Sequence, residues 1–242
     1  MRLAFQYVMS FLFICQMYLM MALTAIAFMP WAMVSHQGAF TAVRSYCKWV
    51  RFTARIMVGL RSEVRGEVPQ TEMIVASKHQ SFFDIIMLVS VLPRPKFIMK
   101  ASLKYAPFLG WYGKRVGCVP VDRGKGGRAV TQMVAGVKDP TNPRGQLIIY
   151  PQGTRVAPGV DKVYKVGVGA LYNALGQDVA LAATNVGVFW PRHGVLRKPG
   201  LAVVEFLHVV PAGKPMPEFM REMETTIETA SDKLLVEAGF KK

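Results

Sequence analysis

From Leu3 to Val34 the chain is an almost unbroken apolar run, LAFQYVMSFLFICQMYLMMALTAIAFMPWAMV. A helix over this run up to Pro30 would be about 40 Å long at about 1.5 Å per residue, against a hydrocarbon core of about 30 Å. It is long enough to cross a bilayer with tilt, or to lie partly buried in one. Gln6, Ser10 and Thr24 fall within about 40° of one another on a helical wheel, a thin polar seam compatible with either arrangement. Ala25-Ile26-Ala27 imitates a signal-cleavage site, but the run is longer than the usual signal core of roughly 7–15 residues.

The next stretch, FTAVRSYCKWVRFTARIMVGL, changes character. Arg44, Lys48, Arg51 and Arg55 recur at helical spacing and fall within about 60° of arc, with Tyr46, Trp49, Val50, Ile56, Met57 and Leu60 opposite. This suits a helix in a membrane interface, its bases against anionic headgroups and its Trp and Tyr at the boundary. A helix packed on a domain with a solvated basic face would show the same pattern. The basic cluster beside the apolar run puts the domain after it on the cytoplasmic side. We therefore expect residues 1–62 to be membrane-anchoring helices and residues 63–242 to form an α/β domain.

Beyond Gln70 short apolar runs alternate with helical stretches. Strands are predicted over Met73–Ser77, Lys96–Met99, Gln146–Tyr150, Val179–Thr184 and Leu201–Val209. Helices are predicted over Asp84–Leu92, Gly126–Lys138, Val166–Leu175 and Pro217–Glu237. Interleaving of this kind predicts an α/β fold, a mixed or mostly parallel sheet flanked by helices. The final helix is acidic in its first half and followed by Lys241 and Lys242, as its dipole favours, and reads as structural.

Composition sharpens the membrane reading. Lys and Arg number 30 against 15 Asp and Glu, a formal net charge of +15, yet 52% of the 242 residues are hydrophobic. That excludes a disordered basic tail and fits poorly with an ordinary soluble domain. Residues 94–128 hold nine bases against Asp122 alone. Such a block could serve nucleic acid, a phosphate site or a membrane-facing patch, or be a solvated face. No RNA- or DNA-binding motif and no aromatic stacking platform accompanies it, so no nucleic-acid partner is expected. Cys15, Cys47 and Cys118 are scattered and odd in number, which suits a reducing, cytosol-facing compartment. His36, His193 and His208 lack ligand spacing, so no metal is expected.

The sharpest motif is Ser77-Lys78-His79-Gln80-Ser81-Phe82-Phe83-Asp84, between an apolar strand and an apolar helix. His79 and Asp84 can form a base–orienter pair, the carboxylate fixing the tautomer while the other ring nitrogen deprotonates a hydroxyl. Ser81-x-x-Asp84 also resembles a capping box, and His79 alone could be a structural histidine. There is no G-x-S-x-G elbow and no Walker-type loop. Gly117–Arg123 ends an apolar run with a base, and Tyr150-Pro151-Gln152-Gly153-Thr154-Arg155 follows a strand. In both, an Arg fork can bind phosphate, and in the second Gly153 lets backbone approach a ligand. A local pair with Asp122, or a solvated loop, would equally explain Arg123.

Taken in order, these blocks resemble the glycerolipid acyltransferase family, most closely its members that acylate 1-acyl-glycerol-3-phosphate. His79-x4-Asp84 is similar to the family's H-x4-D motif, Val116–Arg123 to its second motif, Tyr150–Arg155 to its third (usually F-P-E-G-T-R), and Val179–Arg192 to the region of its fourth. The likeness covers roughly residues 70–210. It implies that His79 is the general base on the glycerol hydroxyl, with Asp84 orienting it. Arg123 and Arg155 would hold the acceptor phosphate, Gly153 and Thr154 would shape the third-motif loop, and Lys165 would assist with the phosphate.

The resemblance further implies an acyl-ACP or acyl-CoA donor, no other cofactor, and phosphatidic acid as product. It places the chain at a bacterial inner membrane with the catalytic domain facing the cytoplasm. The chain departs from the pattern at Gln152, where the family usually has Glu, and near Leu181, where it usually has Pro. These departures keep open a different lyso-lipid acceptor, such as a lyso-ornithine lipid. A basic membrane-binding module without catalysis is the remaining reading.

Overall fold

The computed structural model describes residues 2–122 and 127–241. In chain order the elements are α1 (Arg2–Val34), α2 (His36–Val58), β1 (Leu60–Arg65), β2 (Ile74–Ser77), α3 (Phe83–Val91), β3 (Pro95–Lys100), α4 (Leu109–Arg115) and β4 (Val119–Val121). Next come α5 (Gly127–Lys138), β5 (Gln146–Ile149), α6 (Gly167–Leu175), β6 (Val179–Thr184), β7 (Gly200–Val210) and α7 (Met216–Glu237).

The period of two along the strands explains the layers. Ile74 and Ala76, Leu147 and Ile149, and Val179 and Leu181 face a core shared with α5, α6 and α7. Val75, Ile148, Ala180 and Ala182 face the opposite core, built with α1, α2 and α3. All of these residues are buried. Helices on both faces are the reason such strands read as continuous apolar runs. The seven strands lie in the order β1-β7-β6-β2-β5-β3-β4. From β6 to β4 neighbours run parallel, while β7 is antiparallel to β6 and parallel to β1. The chain thus forms the expected mixed, mostly parallel sheet.

β1, β4 and α4 lie outside the predicted elements. β1 and β4 are the edge strands, where a half-polar sequence such as LRSEVR, or a strand of three residues containing Pro120, is tolerated. The expected division between residues 62 and 63 falls inside β1, so the chain passes from α2 straight into the sheet.

α1 runs through Pro30 to Val34 and is held to the domain along its length. Gln6 Nε2 donates to the carbonyls of Val58 (3.0 Å) and Arg197 (2.7 Å), and Ser10 Oγ accepts the Arg197 N–H (2.9 Å). These are two of the three residues of the polar seam. Phe13 packs edge-on against Trp190, and Gln16 bonds Thr53 and Trp49 of α2. At the far end Tyr112 donates to the Ala25 carbonyl (2.7 Å), and the Arg115 guanidinium binds the carbonyls of Ala32 and Met33. A cation on these orphan carbonyls is a favourable helix C-terminus, and it takes Arg115 out of the basic block's free charge. Ser35 then caps α2, accepting the Gln37 N–H at 3.1 Å. The helices meet so closely that a Cβ at Gly38 would lie 2.7 Å from the Trp31 backbone.

α2 divides the expected basic stripe. Lys48 and Arg55 are exposed beside Trp49, Phe52 and Ile56. Arg51 turns inward instead, bonding Ser62 Oγ at 2.9 Å and Ser90 Oγ at 2.8 Å, and so ties α2 to β1 and α3. Val50, expected on the membrane face, is buried in the core. The cause is that α2 packs on α1, α3, β1 and α4 at once, so its inner surface is wider than one apolar stripe.

Candidate active site

Parallel strands deliver their carboxyl ends to one edge, and in open α/β sheets the crevice there is where ligands bind. His79 follows β2, Tyr150–Arg155 follows β5, Asn185–Arg192 follows β6, Lys100 ends β3 and Asp122 follows β4. The predicted motifs therefore converge at a single edge. Arg123, expected to bind phosphate, lies outside the described residues.

Asp84 sits in the first turn of α3, fully buried, and its two oxygens divide two tasks. Oδ2 accepts the N–H groups of Gln80 and Ser81, each at 2.8 Å. Oδ1 lies 2.8 Å from His79 Nδ1. One carboxylate thus holds the two N–H groups ahead of α3 and also meets the imidazole. Its acceptor oxygen selects the Nδ1–H tautomer, which leaves Nε2 with a lone pair able to take a proton. The His79 side chain keeps 11% of its surface exposed, so it is sheltered but reachable.

Tyr150 lies flat on the imidazole, with centroids 3.8 Å apart and planes inclined by 15°. Among the described residues its buried hydroxyl meets only the Asp84 carboxylate, without ordinary hydrogen-bond geometry. Burial, followed by the nearby Asp84 charge, raises its pKa well above the usual phenol value and keeps it neutral.

The neighbours of His79 anchor it on both sides. Lys78 is buried and reaches Glu228 of α7, while Gln80 Oε1 accepts the Gly187 N–H at 3.0 Å. The third-motif loop is bound by the Val156 N–H donating to the His79 carbonyl at 2.8 Å. Within that loop Gly153 has φ of 68°, and a Cβ there would lie 3.0 Å from Lys165 Nζ. Glycine thus lets the Lys165 amine cross the turn that carries Thr154 and Arg155. Arg155 and Arg192 exchange hydrogen bonds, each donating to the other's carbonyl, at 3.4 and 3.2 Å. Among the described residues neither guanidinium pairs with a carboxylate, so the two cations stand together at the carboxyl edge. Lys96 of the basic block is buried against the Pro143 carbonyl (3.2 Å), and burial lowers its pKa.

The acyltransferase family model matches residues 61–184, just over half of the chain. The chain belongs to the acyltransferase family. A 1-acyl-sn-glycerol-3-phosphate acyltransferase of Pseudomonas aeruginosa is 29% identical over 160 residues, covering 65% of this chain and 62% of the relative. A lyso-ornithine lipid O-acyltransferase of the same organism is 33% identical over 104 residues, covering 42% of this chain and 39% of the relative. The match thus spans less than two thirds of either relative. The crystal structure of the 1-acyl-sn-glycerophosphate (LPA) acyltransferase PlsC from Thermotoga maritima superposes with a TM-score of 0.80, over 97% of this chain and 99% of that one. At 16% identity that likeness is one of fold.

Three residues of this acyltransferase site escaped the sequence reading as individuals. Arg192 was visible only as the end of the fourth block. Lys78 was quoted only inside the motif, and its place as a cation at the exit of an apolar strand is the signal of a buried counter-charge that could have marked it. Glu228 offered no signal beyond following the buried Ile227 on an acidic helix, and α7, expected to be structural, carries it to the motif.

Proposed function

We propose that this acyltransferase transfers an acyl group from an acyl-ACP or acyl-CoA thioester to the free hydroxyl of 1-acyl-glycerol-3-phosphate, forming phosphatidic acid. The observation that carries the reading is the His79–Asp84 pair beside the unneutralised Arg155–Arg192 pair at one sheet edge. His79 Nε2 takes the hydroxyl proton as the oxygen attacks the thioester carbonyl. The new C–O bond forms, the C–S bond breaks, and His79 returns the proton to the leaving thiolate. Asp84 stabilises the transient imidazolium. Arg123, Arg155 and Lys165 grip the acceptor phosphate by charge-assisted bonds, and the Gly153–Thr154 turn sets their approach.

The membrane is the partner of α1 and α2 in this reading. Leu3, Phe5, Phe11, Leu19, Ile26 and Val34 stand exposed on α1, and Trp49, Phe52 and Ile56 on α2. The docking contacts at Gln6 and Ala32 are 26 residues apart, about 39 Å along the helix, which exceeds the roughly 30 Å hydrocarbon core. A helix tied to the domain over that length lies within one leaflet and brings the site to the bilayer surface. A shallow apolar groove of about 640 Å³ between Tyr7, Val8 and Phe11 of α1 and Val195 and Leu196 opens beside Arg192 and suits an acyl chain. The domain would then work on the cytoplasmic face of a bacterial inner membrane.

A second reading, acylation of a lyso-ornithine lipid, draws on the relative of that name. Purified protein in detergent, given labelled acyl-ACP and acyl-CoA against a panel of lyso-lipids, is expected to acylate lysophosphatidate in preference to acceptors lacking phosphate. Preference for the ornithine acceptor would overturn the phosphate role of the arginines.

A further inference from the structure

Gln152 stands where the resembled motif usually has Glu, and the structure contains a carboxylate beside it from elsewhere. Glu228, on α7, reaches across to the loop. Lys78 Nζ donates to Oε1 at 2.6 Å and also to Oε2, Tyr164 donates its hydroxyl to Oε1 at 2.9 Å, and Gln152 Nε2 lies 3.4 Å from the same oxygen. Gln152 donates in addition to the Lys162 carbonyl at 3.3 Å, while its buried Oε1 has no partner among the described residues. Lys78 keeps only 5% of its side-chain surface exposed and Gln152 is 1% exposed, while Glu228 itself keeps 30%, so a partly exposed carboxylate serves two interior partners.

The network's partners are adjacent in sequence to the site. Lys78 precedes His79, Gln152 precedes the Gly153–Arg155 turn, and Tyr164 precedes Lys165. One carboxylate therefore holds the base strand, the phosphate loop and its following lysine in register. A buried ammonium needs such a counter-charge, because leaving it unpaired costs far more than an exposed cation.

We infer that Glu228 is the positioning carboxylate of this site, supplying from α7 the negative charge that the third-motif loop lacks at Gln152. The inference rests on the acyl-transfer reading for its catalytic consequence and on the interior contacts for its existence. Gln152 Nε2 contacts the same oxygen that Lys78 grips, so moving the charge from position 228 to position 152 shifts it by one hydrogen-bonded contact.

The test compares the full-length protein with Glu228→Gln, Gln152→Glu and the double variant, by kcat and KM for lysophosphatidate and by melting temperature. Glu228→Gln removes the carboxylate that pairs with Lys78, leaving Asp161 and Asp232 as the other acids around the same small pocket, and displacement of the loop is expected to lower kcat/KM by about 10- to 100-fold, the scale of a misplacement near 1 Å. Gln152→Glu sets two carboxylates against each other and is also expected to lose activity and melting temperature. The double variant is expected to recover both, to within roughly threefold of wild-type kcat/KM. A merely structural Glu228 would lower melting temperature without changing the kinetics of the folded fraction, and that result overturns the inference. A double variant no better than the product of its parents overturns it as well. Should the unmodified protein turn over no lyso-lipid, the acyl-transfer reading fails. The inference then stands or falls on reciprocal recovery of melting temperature in the double variant.

Discussion

The imidazole of His79 is clamped between two groups of different kind: the Tyr150 ring lies flat against its face at 3.8 Å, and the Asp84 carboxylate meets its edge at 2.8 Å. Stacking fixes the plane of the ring, and the carboxylate fixes its rotation and tautomer. If His79 is the base proposed above, a ring held in both senses needs no reorganisation before it takes a proton.

Removal of the base is expected to be the most damaging single change. His79→Ala should lower kcat by roughly 10²–10⁴, the usual contribution of a general base, and should lower the melting temperature too, because it strips the buried Asp84 Oδ1 of a partner and empties the space against Tyr150. Retention of wild-type turnover would exclude His79 from the chemistry.

Asp84→Asn separates the two roles of the carboxylate. The amide oxygen can keep one or both N–H groups of Gln80 and Ser81, but the amide nitrogen would then face Nδ1 as a donor. The imidazole must put its proton on Nε2 and ceases to be a base. Turnover is expected to fall on the same scale as for His79→Ala while α3 stays capped. Asp84→Ala should lower the melting temperature as well, since it leaves two buried N–H groups unpaired.

Tyr150→Phe is expected to do little harm. The phenol hydroxyl is buried, and among the described residues it meets only the Asp84 carboxylate, without ordinary hydrogen-bond geometry, so its removal relieves a desolvation cost that this contact offsets only in part. Because burial and Asp84 raise its pKa, Tyr150 remains neutral throughout the working range and contributes no alkaline limb to the pH–rate profile. The Phe variant should therefore keep kcat within about twofold, keep the profile unchanged, and melt at the same temperature or higher. A shifted profile would show that the hydroxyl takes part.

Sequence distance and the ambiguity of charge decide how much of this was legible. His79 and Asp84 are five residues apart, so their relationship can be written as a motif. Lys78 and Glu228 are 150 residues apart, and an acid on an acidic helix resembles any solvated one. Buried strands such as β2 and β6 announce themselves by continuous apolar runs, whereas β1 and β4, at the edges, do not. Bases were the hardest to sort. Arg51 and Arg115 have the composition of surface charge, yet one ties α2 to two serines on neighbouring elements and the other caps α1. Only the fold distinguishes those from Arg155 and Arg192, which face one another with no carboxylate paired to either among the described residues.

The paired arginines give a kinetic prediction. Arg155→Ala removes a guanidinium and the bond to the Arg192 carbonyl, and Arg192→Ala removes the reciprocal one. A charged hydrogen bond contributes about 1.5–3 kcal/mol, so each variant is expected to raise KM for a phosphate-bearing acceptor by about 10- to 100-fold. The acceptor KM should also rise with salt in the wild type, as screening weakens the attraction. Equal KM values across salt and variants would remove phosphate from this edge.

The position of α1 can be read from its two ends. If α1 crossed the bilayer, Arg2 and Val34 would emerge on opposite sides. Docked along its length to the domain, it keeps both ends on the domain's side. Single cysteines at Arg2→Cys and Val34→Cys, in a Cys15→Ser background, are expected to react from the same side of sealed vesicles with a membrane-impermeant maleimide. The native thiols do not confuse the readout. Burial pushes the Cys118 thiol up to about 11 and raises Cys47 further, so at neutral pH both hold little of the reactive thiolate. Labelling of the two engineered positions from opposite faces would show that the helix spans, and that the contacts from Gln6 to Met33 are broken in the membrane.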